Sequence, residues 1–428
     1  VAVYDRWYRT EKQPDGSLRK ARSGDHGCKG RWQVRWRDDQ GRQRKQSFAR
    51  KSDAGGFDKT IQAHLLAGTY VDPAAGDVTF RTYAEQWRST RMHDPVTANR
   101  IEAMFRNHVY AAEGTPGQTA RSGPAIGDVP MRALAKQVTL LQAWIKGLAL
   151  HPNTVRQLIG DVAQVFTAAV DDGIIARNPI AARSVMKPSA VKTAAVPWTA
   201  GEVEAVAGQL LPRYAAMPYL GAATGMRQGE LFAAALEDID WLRKTIRVEV
   251  QLKHVGGHYY FAPVKNRKGR DVPIADPVIP VLSEHVRRHR PVKTTLPFGK
   301  PGGPPMTRTL IFVKASRAPL EKNTFNDGWR RAWRKAGLPD ERARWNGCHV
   351  LRHTAASAWL SAGLNIARVA AYLGDTVEVV LASYAHFMPD DDDQARQVMN
   401  TFFEPKPGPP DTACVLVRCK NKRAGRCH

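Results

Sequence analysis

Four short segments in the second half of this 428-residue chain carry polar side chains that packing does not ask for. In Ala222-Ala223-Thr224-Gly225-Met226-Arg227-Gln228-Gly229-Glu230-Leu231 a glycine breaks one helix and a second begins. That sets Arg227 near a helix N-terminus, where anions are favoured. In Cys348-His349-Val350-Leu351-Arg352-His353, His349 and Arg352 stand at i and i+3 on one helical face, ahead of the apolar run Ala355, Ala358, Trp359 and Ala362. Lys265 ends an expected strand at the start of a basic hairpin, Lys265 to Arg270, and Tyr384 falls late in a helix after Val377, Val380 and Leu381. These residue types offer anion binding by guanidinium forks, proton transfer by lysine and histidine, and attack by a phenolic oxygen. Each segment alone has a plainer reading: a surface arginine, a solvated hairpin, a tyrosine packed in a core.

Taken together and in this order they are narrower. Arg227-x-x-Glu230-Leu231, a hairpin lysine before Arg270-Asp271-Val272-Pro273, His349-x-Leu351-Arg352-His353, Leu373-Gly374 and Tyr384-x-His386 resemble the motifs of the tyrosine recombinase (phage integrase) family. The resemblance extends over the whole chain and is least specific in its N-terminal third. It implies that Tyr384 attacks a DNA phosphate to give a 3′-phosphotyrosyl link and a free 5′-hydroxyl. Arg227 and Arg352 would clamp the non-bridging oxygens, Lys265 would protonate the leaving oxygen, and His349 would bond the phosphate or assist the tyrosine. Glu230 would orient Arg227. A free tyrosine has a pKa of about 10 and is roughly 0.1% ionised at pH 7, so its proton must leave as attack proceeds and cations must favour its oxyanion. The phosphotyrosyl bond keeps the energy of the broken phosphodiester, so the scheme implies no metal and no nucleotide cofactor.

One position departs from the pattern. Directly after Leu373-Gly374 the family usually has histidine or tryptophan, which donates to the phosphate, and this chain has Asp375. An ionised aspartate repels a phosphate and donates nothing, so Asp375 must be protonated, turned away or bonded to a neighbouring arginine. The first outcome considered is reduced activity, the second an inactive site. His353 and His386 are near enough in sequence to supply the missing donor, and His353 also reads as a helix-packing residue.

The elements that must position these groups follow from periodicity. Arg31-Trp32-Gln33-Val34-Arg35-Trp36-Arg37 alternates with period two, so Trp32, Val34 and Trp36 share one strand face and Arg31, Gln33, Arg35 and Arg37 the other. Asp38-Asp39-Gln40-Gly41 is a turn, Arg42 to Phe48 returns as a second strand, and Ser52 to Leu66 reads as a covering helix. With Arg42 and Arg44 added, this ribbon suits the DNA major groove, in an arm-type domain (a three-stranded sheet plus helix) over 1–72. Residues 78–180 read as a helical core-binding domain whose clearest helix starts at an N-capping Asn153. Ala111 to Gly127 reads as a surface loop, and 181–198 as an extended basic linker. Thr199 and Glu202 form a capping box that opens a mixed α+β catalytic domain over 199–404, with strands at Thr245 to Leu252, His258 to Val264 and Arg270 to Ile274. The apolar Thr401-Phe402-Phe403 reads either as a contact to a neighbouring subunit, in line with the family, or as part of its own domain's core. The fold class expected is thus multidomain: a small β-sheet-plus-helix domain, an all-α domain and a mixed α+β catalytic domain.

Composition agrees with that assignment. Hydrophobic residues at 43% and charged residues at 24% match a globular chain, whereas 64 Lys+Arg against 40 Asp+Glu leave a formal charge of +24 that calls for an acidic ligand. Nucleic acid ranks above an anionic membrane because phosphate contacts gain from counterion release. With no apolar run long enough to span a bilayer and no signal-peptide core at the first residues, a cytoplasmic, nucleoid-associated enzyme is expected. The partners implied by the resemblance are duplex attachment sites, a homotetramer on DNA and an accessory directionality factor. Five scattered cysteines read as free thiols. The tail from 405 reads as frayed and basic; zinc held by Cys414, Cys419, Cys427 and His428 is the alternative. Two rival functions share these features, a DNA-binding regulator with a dead site and a type IB topoisomerase.

Overall fold

The computed structural model describes residues 2–403 apart from 15, 29, 39–40, 68–69, 71, 73–74, 111–122, 192–195, 340–347 and 389–391. The cysteine-bearing tail lies outside the described residues. The chain divides into two compact units: Val1–Ala194 with Leu252–Ala262 and Thr294–Arg308, and the remainder, Ala195–Gln251, Pro263–Lys293 and Thr309 onward. The expected 199–404 block is therefore not one contiguous body. A two-stranded ribbon has no core of its own, so its grouping follows packing rather than chain order.

The first unit opens with β1 (Ala2–Asp5), β2 (Tyr8–Lys12), β3 (Leu18–Arg22), β4 (Trp32–Arg37), β5 (Gln43–Phe48) and α1 (Lys51–Leu66). The sheet β1-β4-β5 is antiparallel throughout, and β2 pairs with β3 as a separate ribbon that alternation did not announce. Val34, Trp36, Ala54, Ile61 and Tyr70 make its core, with Phe48, Phe57 and Leu65 packed against it. The Trp36 indole donates to the Tyr70 hydroxyl at 2.9 Å, which satisfies the one polar atom that ring buries.

The helical part comprises α2 (Phe80–Thr90), α3 (Pro95–Phe105), α4 (Met131–Lys136), α5 (Val138–Lys146) and α6 (Pro152–Asp171). The α6 stripe Val155, Leu158, Ile159, Val162, Val165 and Phe166 is buried as its spacing requires. Each such side chain contributes about 1.5–3 kcal/mol on leaving water. Two expectations change. His151, not Asn153, caps α6, with Pro152 in the first turn; the Asn153 amide instead exchanges two hydrogen bonds with the backbone of Val191, at 2.9 and 3.0 Å. A proline fixed at φ near −65° suits the first helical position, so the cap falls before it. The described end of the expected 111–127 surface loop is also buried. Ile126 joins the core, and a Cβ on Gly127 would lie 2.7 Å from the Tyr110 backbone.

Beyond residue 195 the chain runs α7 (Ala200–Gln209), α8 (Ala216–Thr224), α9 (Gln228–Ala233), β6 (Ile239–Asp240), β7 (Thr245–Val248), β8 (Val250–Val255), β9 (His258–Pro263), β10 (Arg270–Pro273), α10 (Val278–Arg288), β11 (Val292–Pro297), β12 (Pro305–Leu310), α11 (Lys322–Lys335), α12 (His349–Ser361), α13 (Ile366–Leu373), α14 (Val377–Tyr384) and α15 (Asp392–Phe403), with most of β8, β9, β11 and β12 grouped in the first unit and the rest in the second. The capping box of α7 forms as its sequence requires. The single strand expected at Thr245 to Leu252 breaks at Glu249, so β7 joins the sheet β10-β7-β6 while β8 pairs with β9. The hairpin turn falls at Gly256-Gly257, both with positive φ, and Lys265 lies past the end of β9 in a loop leading to β10 of another sheet, rather than ending a strand at the start of a hairpin. Trp198, at the end of the expected linker, is buried and stacks on Trp329 at 5.7 Å.

Gly225 shows why α8 stops where it does. It takes φ +63° as the left-handed cap of α8, and a Cβ there would meet Leu373 at 2.7 Å and Ala355 at 3.3 Å. Gly225→Ala therefore meets both left-handed strain and overpacking, and should lower stability by roughly 2 kcal/mol or more in chemical denaturation.

Candidate active site

Arg227 immediately precedes α9, and Glu230 in the first turn of that helix reaches back to it. The Glu230 carboxylate accepts from the Arg227 backbone N–H at 2.9 Å and from its guanidinium at 3.1 Å. Glu230 is almost fully buried, and its other strong partner is Arg270, at 2.6 and 3.3 Å. Burial alone raises a carboxyl's pKa, but the hydrogen bond and charge of Arg270 and then Arg227 outweigh it, so Glu230 is held below the ordinary carboxylate range.

Arg352 is 2% exposed on the buried face of α12, where it meets the end of α13. Its guanidinium donates to the carbonyls of Leu373 at 2.7 Å and Gly225 at 2.9 Å. Arg227 donates to the carbonyls of Leu373 at 3.4 Å and Gly374 at 3.2 Å. Between the two guanidinium groups sits Asp375. One carboxylate oxygen accepts from Arg227 and the other from Arg352. The aspartate is thus bonded to neighbouring arginines, the third of the outcomes weighed from sequence. A carboxylate accepting from two guanidinium groups occupies the place and makes the contacts that a tetrahedral oxyanion would.

Tyr384 ends α14 and is 4% exposed, packed with Ala356, Leu360, Val369, Ala370, Leu373 and Val380. Its hydroxyl lies 2.7 Å from His353 Nδ1. Burial pushes the phenol up to about 12, against a downward pull from Arg352. His353 is driven down to about 4, first by burial and then by His349 and Arg352. His349 begins α12 on the exposed side, its ring 4.8 Å from that of His353. Lys265 lies in the loop before β10, whose next residue, Asn266, donates to the Gly374 carbonyl at 3.0 Å.

The structure therefore brings Arg227, Arg352 and Asp375 into one cluster and fastens the Lys265 loop to the residue beside Asp375. It turns His353 Nδ1 to the tyrosine, and the His386 ring lies tilted against Phe387. Phe402 and Phe403 are 74% and 72% exposed, which overturns the reading of them as core residues of their own domain. Arg270 was missed as a supporting residue. The signal was present: with Val272 buried and Asp271 exposed, alternation along β10 puts Arg270 on the inner face, where a cation needs a carboxylate.

The N-terminal cations divide differently from expectation. Register pairs Arg35 with Lys45, Arg37 with Gln43 and Gln33 with Ser47 on the outer face, whereas Arg44 lies opposite Trp36 on the apolar face. Arg44 and Arg42 both pair with Asp38, and Arg44 also with Asp72, so neither belongs to the outward cationic set; Lys45 takes that place. The period-two rule fixed the first strand's faces, but the faces of the second depend on where the turn ends. Gln33 is buried, bonded to Ser47 and Arg35. Arg31 pairs with Asp5 at 2.9 Å and lies over the Trp32 ring. Arg35 and Arg37 remain exposed.

Residues 204–389 match the phage integrase family model. A XerC-like tyrosine recombinase of Caldanaerobacter subterraneus subsp. tengcongensis is 24% identical over 350 residues, covering 78% of this chain and 84% of that protein. The integrase of Mycobacterium phage L5 is 24% identical over 314 residues, covering 73% and 76%. Among solved structures, the Tn1549 transposon integrase in complex with a circular intermediate DNA has a similar fold, with TM-score 0.57 at 19% identity over 75% of this chain and 99% of that one. The matched segment contains Arg227, Lys265, His349, Arg352, Asp375 and Tyr384. Among the described residues no helix is long and apolar enough to cross a membrane.

The Glu230 to Arg270 pair makes a quantitative prediction. Glu230→Ala leaves Arg270 buried without that carboxylate and should cost about 3–5 kcal/mol in urea unfolding. Because the folded Glu230 sits below its ordinary value of 4.5, its contribution is complete above that pH and is lost as pH falls through the lower folded value. The variant should therefore lose part of the wild type's acid sensitivity in that range.

Proposed function

We propose that this chain, whose residues 204–389 match the phage integrase family model, is a tyrosine recombinase that cuts and rejoins DNA at defined sites through a 3′-phosphotyrosyl bond made by Tyr384. The observation that carries the reading is the convergence of Arg227 and Arg352 on one anion position. In the reaction the Tyr384 oxygen bonds to phosphorus and loses its proton, and the bond to the 5′-oxygen breaks. Lys265 delivers a proton to that leaving oxygen, and its loop is anchored beside the site through Asn266. Arg227 and Arg352 neutralise the charge building on the non-bridging oxygens, with arginine suited by its fixed fork of donors. His349, one helical turn from Arg352, bonds the phosphate. Rejoining reverses these steps on a new strand.

Asp375 competes with the DNA for the two arginines. Its carboxylate already satisfies the donors that the phosphate needs, so binding must displace it. Replacing it lowers the cost of loading DNA without touching the nucleophile. The same contact holds both guanidinium groups in place between turnovers.

The duplex is engaged as well by the exposed outer face of the N-terminal sheet, carrying Arg35, Arg37 and Lys45, with Arg31 and Gln33 behind them. A homotetramer on paired sites, an accessory directionality factor and action on nucleoid DNA in the bacterial cytoplasm complete the proposal. The exposed Phe402 and Phe403 are available for a neighbouring subunit.

A suicide duplex resolved on a denaturing gel tests the chemistry. Wild type should form a covalent adduct that Tyr384→Phe abolishes and that Arg227→Ala or Arg352→Ala reduces by about 10²–10³-fold. Wild type without adduct would favour a DNA-binding regulator, and adduct without exchange between two plasmid-borne sites would favour a topoisomerase. Asp375→Asn should raise the adduct rate at limiting DNA by about tenfold, as expected for removing one charge-assisted competitor. A fall in that variant would assign the carboxylate a supporting role instead.

A further inference from the structure

The Tyr384 hydroxyl has one described side-chain partner within hydrogen-bonding reach, and it belongs neither to the arginine pair nor to His349. His353 Nδ1 is 2.7 Å away, with the two rings 5.5 Å apart and tilted by 54°. Both side chains are buried, Tyr384 at 4% and His353 at 9% exposure. A tyrosine at the end of a helix can swing about two side-chain torsions, so a buried acceptor at this distance selects both its rotamer and the direction of its O–H bond. The sequence suggests a different use for His353, as a donor to the phosphate in place of the missing residue at 375. In this conformation Nδ1 faces the tyrosine and Nε2 is buried, so neither ring nitrogen opens onto solvent.

We propose that His353 is the positioning residue of the nucleophile: its Nδ1 accepts from the Tyr384 hydroxyl and so aims an oxygen lone pair outward for attack on phosphorus. This rests on the recombinase reading of the same site. The imidazole stays neutral at pH 7, since burial and the neighbouring His349 and Arg352 hold it at about 4, and in the tautomer protonated at Nε2 the Nδ1 atom accepts from the tyrosine. The same burial sets the limit of its role. Burial raises the phenol and lowers the imidazole, so full proton transfer before attack is disfavoured and His353 orients the hydroxyl rather than ionising it beforehand. The groups facing this pair are His349 and Arg352 from α12 and, acting through charge on the tyrosine, Arg227 and Asp375.

The test separates orientation from packing. In single-turnover assays with a suicide duplex, His353→Leu keeps bulk but removes the acceptor, whereas His353→Asn can place its amide oxygen near the Nδ1 position. The expected result is a roughly 30-fold slower adduct rate in His353→Leu, recovery to within about fivefold of wild type in His353→Asn, and unchanged DNA affinity in both. A packing role reverses the order, with leucine tolerated and asparagine not; that order, or equal loss in both, overturns the proposal. Should neither variant fold, ¹⁵N-histidine spectra of wild type and Tyr384→Phe decide it. The His353 Nδ1 resonance should move when the hydroxyl is removed, and an unmoved resonance rejects the contact. Failure of wild type to form any adduct would instead remove the recombinase reading and leave the spectroscopic contact standing.

Discussion

Guanidinium groups cannot be gathered in a protein interior unless negative charge is gathered with them, and the second unit is organised around that constraint. Arg227, Arg270 and Arg352 are held by the carboxylates of Glu230 and Asp375. Isolated burial of even one such charge costs several kcal/mol, which no amount of nearby apolar packing would offset. These five groups carry a net charge of +1, and turning Asp375 outward leaves +2. The cluster therefore stands complete without a ligand and is biased to accept an anion in its place.

The carboxylates are not the whole balance. The helices α8 and α13 both end at glycines in the left-handed conformation, Gly225 and Gly374, and their terminal carbonyls point into the cluster. Gly225, Tyr372 and Gly374 each offer a carbonyl to one of the three arginines, and Leu373 offers its carbonyl to two. The last carbonyls of a helix lack intrahelical partners and carry partial negative charge, so the arginines satisfy them and are in turn stabilised. This ties the motif glycines to the chemistry. Their role is to stop two helices where backbone oxygens can cradle cations, and Asp375 enters the cluster because it follows one of those stops directly.

Tyr384, the proposed nucleophile, is held by a different rule. It is packed among aliphatic side chains with its hydroxyl against one imidazole, which keeps a weakly acidic phenol un-ionised. Burial that raises the phenol's pKa also preserves its intrinsic basicity as a nucleophile, provided that cations are close by when charge develops. Arg352 comes from the helix that also carries His353, so in the proposed reaction one helix, α12, would both orient the oxygen and stabilise the charge that develops on it.

Much of this was legible from residue types and order. The capping box at Thr199 and Glu202, the apolar stripe of α6 and the alternating faces of β4 follow from local periodicity and helix-end chemistry, which depend only on neighbours in the chain, whereas the arginine, histidine, lysine and tyrosine motifs were marked by their resemblance to the tyrosine recombinase family. The pairing of Asp375 with two arginines from distant segments depends on how α8, α12 and α13 pack. The direction of the His353 ring and the inward turn of Arg270 onto Glu230 were likewise settled by tertiary contacts. Register decided that Lys45, not Arg42 or Arg44, shares the outer face with Arg35 and Arg37, because a turn's length is not encoded in the alternation of the strands it joins. Sequence determines which groups are available and which face of an element they occupy; only the packed structure decides which charges meet, since a buried charge takes whichever opposite charge the folded backbone brings within reach.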